Sequence, residues 1–178
     1  MIIKSTKENN KKLYVFLIVS ALAAFLAASS VLPFISGAKG MRAPDVLLCF
    51  VCTLPFFTDR KTAGIFAVSI GFLADLFITA PISLSPVIFL ACVCVVPLTA
   101  RLFSRTGTLM IAICTLPCIM MRTVFGIAMS LIFVDGASFA KAVGDYSLLS
   151  IVFDFACAIC VAFIMRFVSK RLKIQSYI

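Results

Sequence analysis

The chain has 178 residues, of which 63% are hydrophobic and only 13% are charged, and its formal net charge is +9. Its mean hydropathy is +1.19. Soluble domains are nearer half apolar and a quarter charged, so this chain has too little polar surface to cover a water-soluble globule. The composition predicts an integral membrane protein with almost nothing outside the bilayer. The basic residues form small groups at the ends of apolar runs and no continuous basic face, which argues against nucleic-acid binding.

Six apolar runs predict an all-α protein with six transmembrane helices in one compact bundle. The first run, residues 13–32, follows a basic segment (1–12) and is longer than the apolar part of a signal peptide. The second, residues 46–57, measures only about 18 Å as a helix, so we expect it to be tilted or recessed and shielded by its neighbours. The others are residues 63–80, a fourth run ending at 100, 109–134 and 148–168, before a basic tail (169–178). Pro55, Pro97 and Pro117 lie inside these runs, where we expect kinks and no breaks.

The distribution of basic residues predicts the orientation in the membrane. Six crossings put both termini on one side, and basic residues accumulate on the cytoplasmic side of membrane proteins. If the N-terminus is cytoplasmic, twelve basic residues lie inside and three outside. The inner set is Lys4, Lys7, Lys11, Lys12, Arg60, Lys61, Arg101, Arg105, Arg166, Lys170, Arg171 and Lys173, and the outer set is Lys39, Arg42 and Lys141. We therefore expect a multi-pass protein of the plasma membrane, surrounded by lipid, with cytoplasmic termini.

The eight cysteines all lie in apolar runs, and two pairs have the C-x-x-C spacing, Cys49/Cys52 and Cys157/Cys160. Such pairs can hold a metal or a disulfide, but the chain has no histidine and no polar residues surround the pairs. Small polarizable side chains that pack between helices explain them better. The sequence also contains no nucleophile elbow, P-loop or dinucleotide-binding glycine motif. We expect no metal, no cofactor and no enzymatic activity.

Three ionisable residues lie within the predicted spans: Asp75, Arg122 and Asp154. Each costs about 2.5 to 3.5 kcal/mol at the bilayer centre, so we expect them to form a compensated cluster. A proton or substrate path is the alternative to a structural ion pair, but one cluster without a chain of relay groups favours the structural role. We predict that Asp75 pairs with Arg122, because their estimated depths match, with Asp154 as the competing partner.

Small residues indicate where helices approach closely. Gly71 and Asp75 are four residues apart and share a helix face, and glycine there would let another backbone come near. The first helix carries similar faces at Ala23/Ala27 and Ala24/Ala28. Packing within the chain and contact with another protein both fit these faces.

The stretch from residue 43 to 103 resembles the rod shape-determining protein MreD family. The sequence Ala-Pro-Asp-Val-Leu-Leu, with Pro44 and Asp45, is similar to the Pro-Asp-Leu-Leu opening of that family's second helix. Gly71 and Asp75, followed by leucine, match its Gly-x-x-x-Asp-Leu in the third helix. Pro-Ile-Ser-Leu-Ser, beginning at Pro81, resembles the Pro-Leu-Gly-Leu turn that follows, with serine in place of glycine.

The resemblance implies a non-catalytic inner-membrane component of the bacterial cell-elongation machinery. Members of that family bind the bitopic membrane protein MreC and act with MreB filaments and with the elongation glycosyltransferase and transpeptidase of peptidoglycan synthesis. The family shares its helical fold with the substrate-binding components of energy-coupling-factor vitamin transporters. Such a transporter component is therefore the alternative, although a vitamin pocket needs convergent polar groups that the predicted outer loops offer only sparsely.

Overall fold

The computed structural model describes residues 7–31, 45–77, 84–102, 107–133 and 148–171. In these ranges the chain forms six α-helices and no strand, as the sequence predicts. The helices are α1 (Lys7–Leu26), continued by a π-helical turn (Ala27–Val31), α2 (Val46–Phe57), α3 (Arg60–Phe77), α4 (Ser85–Ala100), α5 (Thr108–Phe133) and α6 (Leu148–Arg171). Three of them, α1, α5 and α6, are long and apolar enough to cross a membrane.

Helix α2 is the centre of the bundle. It packs against each of the other five helices, and its residues from Leu47 to Phe57 are all buried. A helix that is apolar on every side belongs in a protein interior or in lipid, and here the other helices enclose it. The expectation that this short run is shielded by its neighbours is therefore confirmed, and its length need not match the thickness of the lipid.

The other helices pack around α2 in neighbouring pairs. Helix α3 packs most extensively on α4, and α6 packs on both α5 and α2. Near the end of α3, Phe77 makes an edge-to-face ring contact with Phe25 of α1, with 5.9 Å between the ring centroids. The helices continue through Pro55, Pro97 and Pro117, so the expectation that these prolines do not break them is confirmed.

Large apolar side chains cover the outside of the bundle. On α1 they form an outward face, and α6 carries a second one. The outward residues are Tyr14, Val15, Ile18, Val19, Leu22 and Leu26 on α1, and Val152, Phe153, Phe163, Ile164 and Phe167 on α6. Apolar faces of this extent normally contact lipid or another protein.

Candidate functional site

Asp45 begins the central helix and is the anchor of a buried polar cluster. Its Oδ1 accepts a hydrogen bond from the Leu48 amide at 3.0 Å, and its carbonyl accepts one from the Cys49 amide at 3.1 Å. A carboxylate at this position satisfies an unpaired helix amide and interacts favourably with the helix dipole. The other carboxylate oxygen, Oδ2, forms an ion pair with Nε of Arg122 on α5.

Helix α6 joins the same cluster through Asp154. The Asp45 amide donates a hydrogen bond to Asp154 Oδ1 at 2.8 Å, and the Cys49 thiol lies 3.5 Å from the Asp154 carbonyl oxygen. The side chains of Arg122 and Asp45 are only 16% and 15% exposed, and the two atoms that form the ion pair are fully buried. Asp45, Arg122 and Asp154, the ion-pair cluster hereafter, thus connect α2, α5 and α6 at one level of the bundle.

The prediction that Arg122 pairs with Asp75 was wrong in its partner, because the structure pairs Arg122 with Asp45. Asp75 lies about 22 Å along α3 from its first residue, and Arg122 lies about 21 Å along α5 from its first residue. However, α3 packs on α4 and α2, whereas α5 packs on α4, α6 and α2. Depth along a helix fixes one coordinate only, and the neighbours of each helix decide the partner. Asp154 was expected to compete with Asp75 for Arg122. It belongs to the ion-pair cluster because its side chain accepts a hydrogen bond from the Asp45 amide.

Gly71 marks the closest approach of two helix backbones. A Cβ atom at Gly71 would lie 2.5 Å from Pro86 Cα and 2.6 Å from Pro86 N, at the start of α4. Only glycine leaves room for this contact. The prediction of a close helix approach at Gly71 is confirmed, and the partner is α4 of the same chain. Among the alanines of the first helix, Ala24 of α1 is buried, Ala28 of the π-helical turn packs against the core, and Ala23 of α1 is exposed.

Two of the candidate residues, Pro44 and Pro81, lie outside the described residues. The same holds for the outer basic residues Lys39, Arg42 and Lys141. The described parts of the three resembling motifs therefore consist of Asp45 and its helix, of Gly71 and Asp75, and of Leu84 and Ser85 at the start of α4.

The cysteines are grouped differently from their spacing in the sequence. Cys52 of α2, Cys92 of α4 and Cys118 of α5 bring their Sγ atoms within 4.8 Å of one another, and all three are fully buried. Cys49 instead contacts Cys157 of α6, and Cys160 is exposed. The two members of each C-x-x-C pair therefore have different surroundings and do not form a common site. Sequence spacing could not find the group of three, because it depends on how three helices are rotated about their axes.

Comparisons of the chain with protein-family models, with curated proteins and with solved structures gave no match. The described part of the chain is a helical bundle with three helices that could cross a membrane. The proposal for its function therefore rests on the sequence resemblance together with the contacts of the chain's own residues.

Proposed function

We propose that the chain is a non-catalytic, multi-pass protein of the bacterial inner membrane that binds an MreC-like bitopic protein and helps to position peptidoglycan synthesis during cell elongation. The strongest support for this proposal is the position in the fold of the residues that match the MreD family motifs. Asp45 anchors the ion-pair cluster at the start of the central helix, and Gly71 lies at the closest helix crossing. These are framework positions, as expected of a protein that acts by holding and presenting a surface.

In this proposal all six helices cross the bilayer and both termini are cytoplasmic. Helix α2 has only 12 residues, but protein encloses it. Its backbone is therefore shielded from lipid, and the helix can be shorter than the hydrocarbon core. The short α4 is likewise buried along much of its length. The excess of twelve basic residues on one side over three on the other supports the orientation.

The outward apolar face of α1 is the surface that we propose for a transmembrane partner. Val15, Val19, Leu22 and Leu26 are all more than half exposed. The single span of a bitopic protein is a helix, which could lie along this face within the lipid. MreB filaments and the glycosyltransferase and transpeptidase would then join the assembly indirectly.

Co-purification tests the partner directly. The chain would be expressed with the MreC-like protein of the same genome, purified in mild detergent and analysed by native mass spectrometry. A complex of the two is expected, and it should be lost when Val15, Val19 and Leu22 are all replaced by alanine. The matched control is Val152→Ala/Phe153→Ala, which removes comparable outward apolar bulk from α6.

Two results would contradict the proposal. One is the absence of any complex while the chain itself remains folded. The other is a stoichiometric vitamin-sized molecule bound to the purified protein, which would favour the transporter component. Depletion in the parent bacterium gives an independent readout, because rod-shaped cells should become round and vitamin uptake should not change.

A further inference from the structure

We propose that Cys52, Cys92 and Cys118 form a binding site for one Cu(I) ion in the interior of the bundle. The three residues, the thiol triad hereafter, come from α2, α4 and α5. Each is fully buried, and the three Sγ atoms lie within 4.8 Å of one another. This inference does not depend on the proposed role in cell elongation.

The geometry of the thiol triad is close to that of a three-coordinate metal centre. A triangle of sulfur atoms with sides no longer than 4.8 Å has a central point about 2.8 Å or less from each sulfur, and thiolate sulfur binds a d¹⁰ metal at about 2.3 Å. Each sulfur would therefore move by about 0.5 Å, which a small rotation about the Cα–Cβ bond provides. No change in helix packing is needed.

The ligand type and number favour Cu(I) over zinc. Soft thiolate ligands select Cu(I) and Zn(II) among the common metals. Zinc in proteins is almost always bound by four ligands, whereas the triad offers three and the chain has no histidine to supply a fourth. Cu(I) is satisfied by two or three sulfur ligands.

Charge balance in the apolar interior also favours a monovalent ion. An uncompensated buried charge is costly. When Cu(I) binds, one S–H bond breaks, one copper–thiolate bond forms and one proton leaves to solvent, while the other two sulfurs donate lone pairs as neutral thiols. The triad is neutral before and after, and no atom changes oxidation state. A divalent ion would require the loss of two protons for the same neutrality.

The triad lies beside the ion-pair cluster. Arg122 follows Cys118 by one helical turn on α5, and Cys49 precedes Cys52 by one turn on α2. The Cys49 thiol contacts the Asp154 carbonyl oxygen, and the Cys118 thiol lies 4.0 Å from the Cys92 carbonyl oxygen. Polar groups thus continue from the ion-pair cluster to the triad through the centre of the bundle.

Titration with Cu(I) tests the site. The full chain, purified in detergent and kept anaerobic with ascorbate, would compete with bicinchoninate for Cu(I). One equivalent per chain is expected, with affinity at least tenfold weaker in Cys92→Ala and in Cys118→Ala. Cys94→Ala and Cys160→Ala are the matched controls, because both thiols are exposed on the outside of α4 and α6, and they should bind like the wild type. Circular dichroism would confirm that each variant keeps its helix content.

X-ray absorption at the copper edge of the wild-type complex gives a readout that needs no variant. Two or three sulfur ligands near 2.3 Å are expected. Oxygen or nitrogen ligands would overturn the proposal, and so would a wild type that takes no Cu(I) from the chelator. Equal loss of binding in Cys94→Ala and Cys92→Ala, or preferential binding of Zn(II), would overturn it as well.

Discussion

Gly71→Ala places a methyl group against the backbone of the neighbouring helix. Its Cβ would lie 2.5 Å from Pro86 Cα, whereas ordinary contact begins at 3.4 Å. The two helices must therefore separate locally by roughly 1 Å, since no side-chain rotation can move a backbone atom away. Overpacking of this kind typically costs about 1 to 3 kcal/mol. The gain in helix propensity from glycine to alanine offsets up to about 1 kcal/mol. Because the clash is with backbone atoms, the upper half of the overpacking range applies, and subtracting the gain in propensity leaves a net destabilisation of about 1 to 2 kcal/mol.

Gly64 provides the matched control on the same helix. A Cβ there would lie 3.6 Å from Leu90 Cδ1, which is ordinary van der Waals contact with a movable side chain. Gly64→Ala should therefore keep its gain in helix propensity and stabilise the protein by up to about 1 kcal/mol. The same glycine-to-alanine change is therefore expected to destabilise the protein at position 71 and to stabilise it at position 64.

Thermal unfolding in detergent, followed by the loss of the monodisperse elution peak, measures both variants. For a chain of this size 1 kcal/mol corresponds to about 2 to 4 °C in Tm. Gly71→Ala should lower Tm by several degrees and Gly64→Ala should leave it unchanged or raise it. Pro86→Ala should not rescue Gly71→Ala, because the clashing Cα and N atoms remain. Equal Tm values for the two glycine variants would refute the reasoning.

Three further predictions concern the topology and the ion-pair cluster. Reporters that are active only outside the cytoplasm should function when fused after residue 40 or near residue 140. They should be silent when fused after residue 60 or at the C-terminus, and activity at the C-terminus would overturn the six-span topology. Asp154→Asn keeps an oxygen that can accept a hydrogen bond from the Asp45 amide, whereas Asp154→Leu removes it. Asp154→Leu should therefore be less stable than Asp154→Asn by about 1 to 3 kcal/mol, and equal losses would contradict this contact. Finally, the losses of Tm caused by changes at Asp45 and at Arg122 should not add, and the double variant should lose less than the sum of the two single losses.

The sequence was sufficient to predict those features that depend on one helix at a time. The run from residue 46 to 57 is apolar but too short to cross the hydrocarbon core, and that shortness indicates shielding by other helices. Gly71, one turn before a charged residue within an apolar run, indicates a close helix contact, and the structure places α4 there. Both predictions rest on the length, composition and residue spacing of a single segment, which are local properties.

Features that depend on the arrangement of several helices could not be predicted in this way. The sequence offered Arg122 two aspartates on other predicted helices, and only the packing order of the helices excludes Asp75 as its partner. The resemblance placed Asp45 at the opening of the second helix, but its position inside the bundle follows from the shortness and central location of α2. The thiol triad likewise requires the rotation of three helices about their axes, which C-x-x-C spacing does not encode.

A double-mutant cycle isolates the interaction between Asp45 and Arg122. Asp45→Asn keeps the side-chain oxygen that caps α2 and removes only the charge, while Arg122→Met removes the cation and keeps most of the bulk. Each single change leaves one largely buried charge without its partner. Such a loss typically costs about 3 to 5 kcal/mol when burial is complete. The cost should be somewhat smaller here because the side chains of Arg122 and Asp45 are 16% and 15% exposed. The double variant leaves neither charge, so it should be more stable than additivity predicts by about 1 to 3 kcal/mol. The control cycle combines Asp75→Asn with Arg122→Met, and its effects should add because the structure does not pair these residues. Coupling at Asp75 together with additivity at Asp45 would show that Arg122 has the other partner, and that α5 faces α3 where the structure places α2.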